Sequence, residues 1–427
     1  MKKFEIKNWH LILLIWIILL LSRFGLFANA AALLFSYTGL LFTETHTAAN
    51  VLEFPLIDVL LGFLIFITLP GLIFYLRKKS NILNLKIDFS STILIILLYV
   101  FLFAPFLTDK NPDFQKDIGV TKLLPPFSSV KVLHLRINST GEPSKIENFK
   151  KLENKAVKKS FDESLIFADS VKAGSTIIYY QRGIQHNINR NEVVEKKLKP
   201  LVTSRFYLLG SDEFGRDIYT RLVYSARISL LVGLGSVIIS LLLGLGLGFM
   251  SGLLSGWVDL SLNRITEMFL AFPIIFLIIL ILALFGNSLM TVIIVLGFSG
   301  WMSLFKIVRG EVISIKNKDY FISAQMIGLS KKQLLFKEVL PVILSSVVVN
   351  AVFQFGNVIL AEAALSYLGL GTGSNYPSWG AMIEAGQEYL TKAWWMIFFP
   401  GIILILTLMT ANSAGRKLNK FYNPRIN

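Results

Sequence analysis

Several uninterrupted apolar runs constrain this chain more than any other feature. Each is about 18–25 residues long, enough to cross the roughly 30 Å hydrocarbon core of a bilayer as a helix. Within lipid, every backbone N–H and C=O group must be paired inside the segment, so these runs are predicted to be helices. The strands of a β-barrel would alternate apolar and polar residues, and these runs do not. The fold class that follows is an all-α polytopic membrane protein.

The formal net charge of +15 would suggest a nucleic-acid partner in a soluble protein. Here 54% of the residues are hydrophobic and the mean hydropathy is +0.63, so Lys- and Arg-rich cytoplasmic loops explain the charge better. We therefore expect a lipid bilayer, and no nucleic acid, as a partner. The chain has no cysteine, which excludes disulfides, Cys-ligated zinc and thiol catalysis. No metal site, cofactor or catalytic residue is predicted.

We predict about eight spans with both termini in the cytoplasm. The spans are residues 9–31, 54–76, 91–107, 228–253, 268–285, 289–308, 342–364 and 394–410. Four parts are predicted. Residues 1–90 form an extra N-terminal transmembrane pair, and residues 91–107 form the first helix of the core. Residues 108–209 form an insert domain, and residues 210–427 form the remainder of the core, with a cytoplasmic loop at 310–341.

The N-terminus allows two interpretations. Met1-Lys2-Lys3 precedes an apolar run, and Ala28-Asn29-Ala30 resembles the cleavage site of a secretory signal. Because apolar sequence continues to Phe42, we favour an uncleaved first span over a removed signal peptide. Arg23 inside that span would snorkel or face a neighbouring helix.

Basic residues orient the spans. Arg77-Lys78-Lys79 end the second span, which places that end in the cytoplasm. Span parity then places residues 306–340 and the tail 416–425 in the cytoplasm, and both are rich in Lys and Arg. Residues 108–209 fall outside, although they are more basic than acidic, because long domains translocate largely regardless of charge.

The segment 108–209 is polar and too long for a turn. Residues 130–137 and 175–181 are rich in β-branched and aromatic side chains and are predicted strands, and 145–159 is a predicted polar helix. We expect an extracytoplasmic α+β insert of about 100 residues.

Small residues recur every four positions in the fourth predicted span, at Gly244, Gly248, Gly252 and Gly256. Such spacing allows close helix approach, either at a subunit interface or in ordinary packing within the chain. We favour ordinary packing.

The cytoplasmic loop has internal order. Asp319 can cap a helix that begins at Tyr320 and ends at Gly328. Ala324 and Gly328 lie four residues apart and would leave a surface that another protein can approach closely. A second, basic helix begins at Leu329, and Leu340-Pro341 leads into the next span.

Residues 320–328 (YFISAQMIG) followed by 339–341 (VLP) resemble the "EAA" loop of binding-protein-dependent ABC importer permeases. Further stretches resemble the dipeptide/oligopeptide/nickel branch, second-permease type: 209–217 (LGSDEFGRD), 221–229 (RLVYSARIS), 363–371 (AALSYLGLG) and 377–380 (PSWG). These stretches lie in the family's order within the second half of the chain, from Leu209 onward. Two positions depart from the loop pattern, because Ile322 replaces its Glu and Ser323 its first Ala. The carboxylate that the resemblance implies as a polar contact to the ATPase is therefore missing at residue 322.

The resemblance implies a bacterial cytoplasmic-membrane subunit that translocates peptides or related solutes. Its partners would be a second permease subunit, two ATPase subunits that grip the loop, and an extracytoplasmic substrate-binding protein. The coupling residues implied are Asp319, Tyr320, Ala324, Gly328, Leu329 and Pro341. The chain has no G-x-x-x-x-G-K-[ST] sequence, so ATP hydrolysis is expected in the separate subunit.

Polar residues in the seventh predicted span are candidates for a translocation pathway. Asn350, Gln354 and Asn357 lie on one helical face, and Glu362 lies near the outer end, off that face. Polar side chains in membrane helices are costly and often functional, but hydrogen bonds between helices would equally explain them.

Two other protein classes fit the sequence less well. An ion-coupled secondary transporter would need repeated halves and buried ionisable residues, and the sequence shows no repeat and few such residues. Residues 297–300 (GFSG) match an intramembrane serine protease motif, but no histidine lies in the later spans to act as the base.

Overall fold

The computed structural model describes residues 7–43, 54–79, 87–136, 145–159, 164–174, 176–196, 199–372 and 377–422. The chain divides into two compact units. The first comprises Met1–Tyr224 with Ala385–Phe399, and the second comprises Ser225–Glu384 with Pro400–Asn427. The loop that follows Thr43 and the last residues of the basic tail lie outside the described residues.

The described residues contain seven helices long and apolar enough to span a membrane, and a bent helix pair that would make an eighth. The long helices are α1 (Asn8–Ser22), α2 (Phe24–Thr43), α3 (Phe54–Lys79), α4 (Phe89–Leu107), α7 (Ile218–Leu254), α8 (Gly256–Ala271), α9 (Ile274–Phe285), α10 (Leu289–Lys316), α13 (Leu340–Tyr367) and α15 (Trp395–Tyr422). The all-α membrane fold with about eight spans is confirmed, but several boundaries differ from the prediction.

The first predicted span, residues 9–31, is two helices that meet at Arg23. The backbone of Arg23 leaves the helical region (φ −122°, ψ 24°), so α1 ends at Ser22. The apolar sequence then continues as α2 to Thr43, beyond the predicted end at Ala31. Arg23 is half-buried and lines a cavity within the protein.

Aromatic contacts fix how the N-terminal helices run against α3. Trp16 stacks on Phe66 with ring centroids 5.0 Å apart, and the guanidinium of Arg77 lies 5.1 Å from the Trp9 ring. The start of α1 therefore lies at the basic end of α3. At the other end of α3, Leu56 packs in a cluster with Phe149 of the insert.

The insert has the predicted α+β character. Its helices are α5 (Ile118–Thr121) and α6 (Lys145–Glu153), the latter extended by a π-turn over Asn154–Lys158. Its strands are β1 (Ser128–His134), β2 (Leu165–Ala168), β3 (Ser170–Ala173), β4 (Ile177–Gln181), β5 (Ile184–Ile188), β6 (Glu195–Lys196), β7 (Lys199–Pro200) and β8 (Val202–Tyr207). They form antiparallel sheets in the orders β2-β1-β8, β3-β4-β5 and β6-β7. Val132 pairs with Phe167 on one side and Thr203 on the other.

The glycine stripe of α7 packs against α10 inside the chain. A Cβ built on Gly244, Gly248 or Gly252 would lie 2.6 to 2.8 Å from Leu304, Val308 or Val312, respectively. Side chains larger than hydrogen do not fit there without movement. The interpretation as ordinary close packing is therefore correct for these three glycines.

The predicted span at 268–285 is broken. Helices α8 and α9 are bent by 87° at Phe272-Pro273. Proline lacks an N–H and pushes the preceding residue to extended backbone, and Phe272 has ψ 135°. The single straight span was wrong for that reason.

Candidate functional site

The cytoplasmic loop folds as the predicted helix–turn–helix. Helix α11 (Asp319–Met326) ends at Gly328, whose φ of +88° is the left-handed conformation that favours glycine. The N–H of Gly328 donates to the carbonyl of Gln325 at 2.9 Å. Ser330 and Gln333 then form a reciprocal capping box that starts α12 (Lys331–Gln333).

Asp319 does not cap α11 as predicted. The cap position is Lys318, which makes no side-chain capping bond, and Asp319 is the first helical residue. A carboxylate in the first turn still favours the helix, because the amino end of a helix carries partial positive charge.

The face of α11 that contacts the protein contains Ala324, contrary to the prediction. Ala324 is 7% exposed and Phe321 fully buried, in a cluster with Val312 and Ile315 of α10. Residues three apart share a helix face, so Phe321 and Ala324 bury together. Ala324 is thus unavailable to a partner, whereas Gly328 is exposed and Leu329 half-buried.

Apolar side chains are exposed on the side of α11 opposite Phe321 and Ala324 and at its carboxyl end. We define the outer face of α11 as Ile322, Met326 and the C-cap residue Ile327, and Met326 and Ile327 are each 82% exposed. Tyr320 is exposed as well, on the side nearer Ala324. Large apolar side chains in water are unfavourable and, when clustered, mark surfaces that contact other proteins. This face was not predicted, because spacing alone pointed to the small residues.

Pro341 lies within one long helix rather than at the start of a span. Helix α12 continues through a π-helical segment, Leu334–Val339, into α13, so the chain is helical from Lys331 to Tyr367. A proline removes one backbone hydrogen bond and clashes with the preceding turn, which a wider π-turn accommodates.

Polar bonds tie α10 to neighbouring helices near this loop. Arg309 binds Asp259 of α8 through two bonds, Nε to Oδ1 at 2.5 Å and Nη2 to Oδ2 at 2.7 Å. The ammonium of Lys316 donates to the carbonyl of Gly252 at 3.1 Å and to the Ser255 hydroxyl at 2.8 Å, at the end of α7. The partners are about fifty or more residues apart in sequence, so no local pattern could reveal them.

The candidate pathway residues differ in their surroundings. Asn350 and Gln354 are half-buried, whereas Asn357 is exposed. The amide of Gln354 lies against Gly300 of α10, where an added Cβ would approach Nε2 to 1.8 Å. Among the described residues, Oδ1 of Asn350 and both amide atoms of Gln354 are buried without a hydrogen-bond partner. Their role in a pathway stays a prediction.

Glu362 is fully buried at the centre of a serine cluster. Its carboxylate accepts hydrogen bonds from Ser366 at 2.7 Å and from Ser229 of α7 at 3.3 Å. The Ser366 hydroxyl lies 3.1 Å from that of Ser378, just before α14 (Trp379–Gly386). This cluster joins three of the motif stretches, at residues 221–229, 363–371 and 377–380, a convergence that sequence reasoning missed.

The stretch 209–217 forms a turn in the first unit. Oδ1 of Asp212 accepts from the backbone N–H groups of Phe214 and Arg216 at 3.0 and 2.8 Å. Asp217 caps α7 by accepting from the N–H of Thr220 at 2.9 Å. Gly215 has φ +77°, and a Cβ there would collide with Thr121 of the insert, at 2.1 Å from its hydroxyl. This bonding explains why α7 begins ten residues before the predicted span.

Residues 244–427 match the family described as "Binding-protein-dependent transport system inner membrane component". The dipeptide transport system permease protein DppC of Alkalihalophilus pseudofirmus is 36% identical over 217 residues, which are 51% of this chain and 71% of the relative. The chain belongs to the binding-protein-dependent ABC importer permeases. The oligopeptide transport system permease protein OppC of Haemophilus influenzae is also 36% identical, over 52% of this permease and 71% of that relative.

Among solved structures, the inward-facing MetNI methionine ABC transporter covers 46% of this permease and 95% of its own chain, with 16% identity and a TM-score of 0.38. The family assignment rests on the sequence relatives. A permease of this family is a multi-pass transport subunit of the inner membrane rather than a catalytic subunit. The ion-coupled and hydrolase alternatives are therefore set aside.

Proposed function

We propose that this permease imports peptides and that the outer face of α11 docks on a separate ATPase subunit. The two relatives support peptides as the substrate class, because their names give dipeptide and oligopeptide transport. The single observation that carries the docking role is the exposure of Met326 and Ile327 at the carboxyl end of a short helix that ends in a glycine turn.

The docking contact would be apolar. Ile322 stands where the resembling loop pattern has Glu, and it lies on the same exposed face as Met326. Burying these side chains against an apolar groove would contribute about 25 cal/mol for each Å² removed from water.

Movement of α11 would reach the membrane through packed helices. Phe321 and Ala324 anchor α11 on α10, and the same cluster includes Val339 and Ile343 at the start of α13. Closure of an ATPase pair would thereby displace both helices, as in switches between discrete packings. Asp319, Gly328, Leu329 and Pro341 then serve the shape of the loop rather than the contact itself.

We infer the remaining assembly from the family and the orientation from the basic residues. A second permease subunit, two ATPase subunits and an extracytoplasmic binding protein would complete the importer. The insert packs at the end of α3 opposite Arg77, Lys78 and Lys79, which supports an outside location for the insert and cytoplasmic termini.

For the pathway we propose Asn350, Gln354 and Asn357. The unsatisfied amides of Asn350 and Gln354 inside a membrane helix suit a polar solute, and Asn357 is exposed on the same face of that helix. Glu362 is better explained as a structural residue, because three serines surround its carboxylate.

The test of docking is Met326→Glu in the assembled importer, with Gln325→Glu as the matched control. Both positions are exposed on α11, so neither change should unfold the permease. Met326→Glu should abolish substrate-stimulated ATPase activity, and Gln325→Glu should leave most of it. Normal stimulation in Met326→Glu would overturn the docking role.

Orientation is tested with single cysteines in this cysteine-free chain. Ser170→Cys in the insert should react with an impermeant thiol reagent in intact spheroplasts, and Gln325→Cys should react only after lysis. The reverse pattern would contradict the proposed topology.

A further inference from the structure

Helix α8 is weakly attached to the rest of its unit, although it begins the broken span. Within α8, which the structure describes from Gly256 to Ala271, Thr266 is the one buried residue. Trp257 and Met268, one near each end, are 83% and 74% exposed. The direction of α8 in its unit therefore depends on a small number of contacts.

An ion pair with α10 is the contact at the start of α8. Both carboxylate oxygens of Asp259 accept hydrogen bonds from the guanidinium of Arg309, Oδ1 from Nε at 2.5 Å and Oδ2 from Nη2 at 2.7 Å. The hydroxyl of Ser251, near the end of α7, also donates to Asp259. Two parallel bonds fix the mutual orientation of the two side chains as well as their separation.

Aromatic rings make a second contact with α10, close to the bend. The ring of Phe269 lies 6.3 Å from that of Trp301 and 5.8 Å from that of Phe298, between centroids. Asp259 and Phe269 are ten residues apart in sequence, which is about 15 Å along a helix. The aromatic contact alone would let the start of α8 pivot, whereas the two contacts together hold α8 along α10.

The part of α10 that holds Asp259 also carries α11. Val312 lies three residues after Arg309, within one turn of α10, and packs in the cluster that contains Phe321 and Ala324 of α11. A displacement of α11 is therefore transmitted to the turn of α10 that bears Arg309, because closely packed side chains yield little.

We propose that Asp259 and Arg309 are positioning residues for transport, which carry α8, and with it the bend at Pro273, whenever α11 moves. This role rests on the proposed docking of α11 on the ATPase. The ion pair would thereby connect closure of the ATPase pair to the broken span, in addition to the packed helices α10 and α13.

A contact that only stabilised the fold would behave differently. The side chains of Arg309 and Asp259 are 28% and 22% exposed, and ion pairs that water reaches contribute little to stability. Loss of the pair should therefore leave the unfolding midpoint of the permease nearly unchanged. Because the pair transmits movement, its loss should instead lower the substrate-stimulated ATPase activity.

The first test measures how far a binding protein loaded with trialanine stimulates the ATPase activity of the assembled importer in lipid nanodiscs. Asp259→Asn and Arg309→Gln should each lower the stimulation about tenfold, and the double variant no further, because the two side chains act as one unit. Arg309→Lys keeps the charge but loses the two parallel bonds, so its stimulation should be intermediate. Arg264→Gln is the matched control, since it removes a 2.9 Å pair with Glu267 inside α8, and it should behave like the native importer.

The second test follows α8 directly. Spin labels are attached to Trp257→Cys and Gln325→Cys, at exposed positions on α8 and α11 of this cysteine-free chain. Double electron–electron resonance then gives the distance between the labels in the assembled importer with and without MgATP. The distance should stay constant when the ion pair is intact, and it should shift or broaden with MgATP when Asp259→Asn is added. The same response with and without Asp259→Asn would overturn the proposal.

The variant Met326→Glu separates this proposal from the docking role of α11. Loss of stimulation in Met326→Glu with normal stimulation in Asp259→Asn would overturn the role of the ion pair and leave docking in place. Loss in Asp259→Asn with normal stimulation in Met326→Glu would overturn docking and leave the link between α10 and α8. A fall in the unfolding midpoint of Asp259→Asn large enough to explain its lost activity would show that the pair only stabilises the fold.

Discussion

The serine cluster around Glu362 and the outer face of α11 both depart from the rule that apolar side chains are buried and polar ones exposed. The cluster is polar and buried, and the outer face is apolar and exposed. In the first, a carboxylate is fully buried and three hydroxyl groups satisfy it. In the second, large apolar side chains stand in water with no cover from their own chain. A buried polar group that is fully bonded has a structural explanation within the chain. An exposed apolar face has no such explanation, and for that reason we assign the partner contact to α11.

Glu362→Ala should have the largest effect and tests the structural role of the serine cluster. The change leaves the hydroxyls of Ser229 and Ser366 without their acceptor and opens a cavity, so it should destabilise the permease by about 2–4 kcal/mol. Thermal unfolding of the purified protein is the measurement. Glu362→Gln keeps an acceptor oxygen and should lose less, whereas a fully stable Glu362→Ala protein would contradict the structural role.

The buried ammonium of Lys159 in the insert should make the stability of the protein depend on pH. Lys159 donates to the carbonyl oxygens of Pro105 and Thr108, the latter at 2.5 Å, and burial lowers its pKa from 10.5 to about 8. Asp109 and Asp58 oppose this shift, and Arg23 adds to it. Between pH 8 and 10.5 the unfolded chain holds more protons at Lys159 than the folded one, so stability should rise with pH there.

The size of that pH effect is about 3 kcal/mol if Lys159 alone titrates. The measurement is the unfolding midpoint of the native protein minus that of Lys159→Met, at pH values from 7.5 to 10.5. The difference should move in favour of the native protein as pH rises. Parallel curves for the two proteins would show that Lys159 is not held with a lowered pKa.

Two Gly→Ala changes compare close packing with exposed backbone. Gly248→Ala places a Cβ 2.7 Å from Val308 and should cost about 1–3 kcal/mol through overpacking. At Gly328 nothing lies near an added Cβ, but φ is +88°, so Gly328→Ala should cost about 1–2 kcal/mol of local strain. Gly248→Ala should lower the unfolding midpoint most, and Gly328→Ala should mainly lower the substrate-stimulated ATPase activity. The opposite assignment of effects would contradict the roles given to the two glycines.

Ile322→Glu should have the smallest effect on stability, because Ile322 is exposed. It restores the residue type of the resembling motif, yet a groove suited to an apolar face should bind it less well. We expect unchanged unfolding and a several-fold lower substrate-stimulated ATPase rate. A rate above that of the native importer would indicate that the ATPase groove retains a polar partner for Glu.

Features set by local sequence were predictable. The apolar runs gave the span count, Gly328 marked the end of α11, and β-branched runs marked β1 and β4. Features set by contacts between distant residues were not. The inward turn of Ala324 depends on its burial against α10, and the bonds of Glu362 come from residues as far away as Ser229.

Two helix breaks were only partly predictable. Pro273 is a visible helix breaker, but an apolar run on both sides concealed the 87° bend. Arg23 was recognised as unusual inside a span, but the sequence did not show that the helix ends there.

The most direct test of the central claim is site-specific cross-linking from single cysteines on α11 to the ATPase. A photo-reactive thiol reagent is attached to Met326→Cys or to Ala324→Cys, and the importer is assembled and irradiated. We expect a strong cross-link to the ATPase from Met326→Cys and little or none from the buried Ala324→Cys. A strong cross-link from Ala324→Cys with none from Met326→Cys would contradict that expectation.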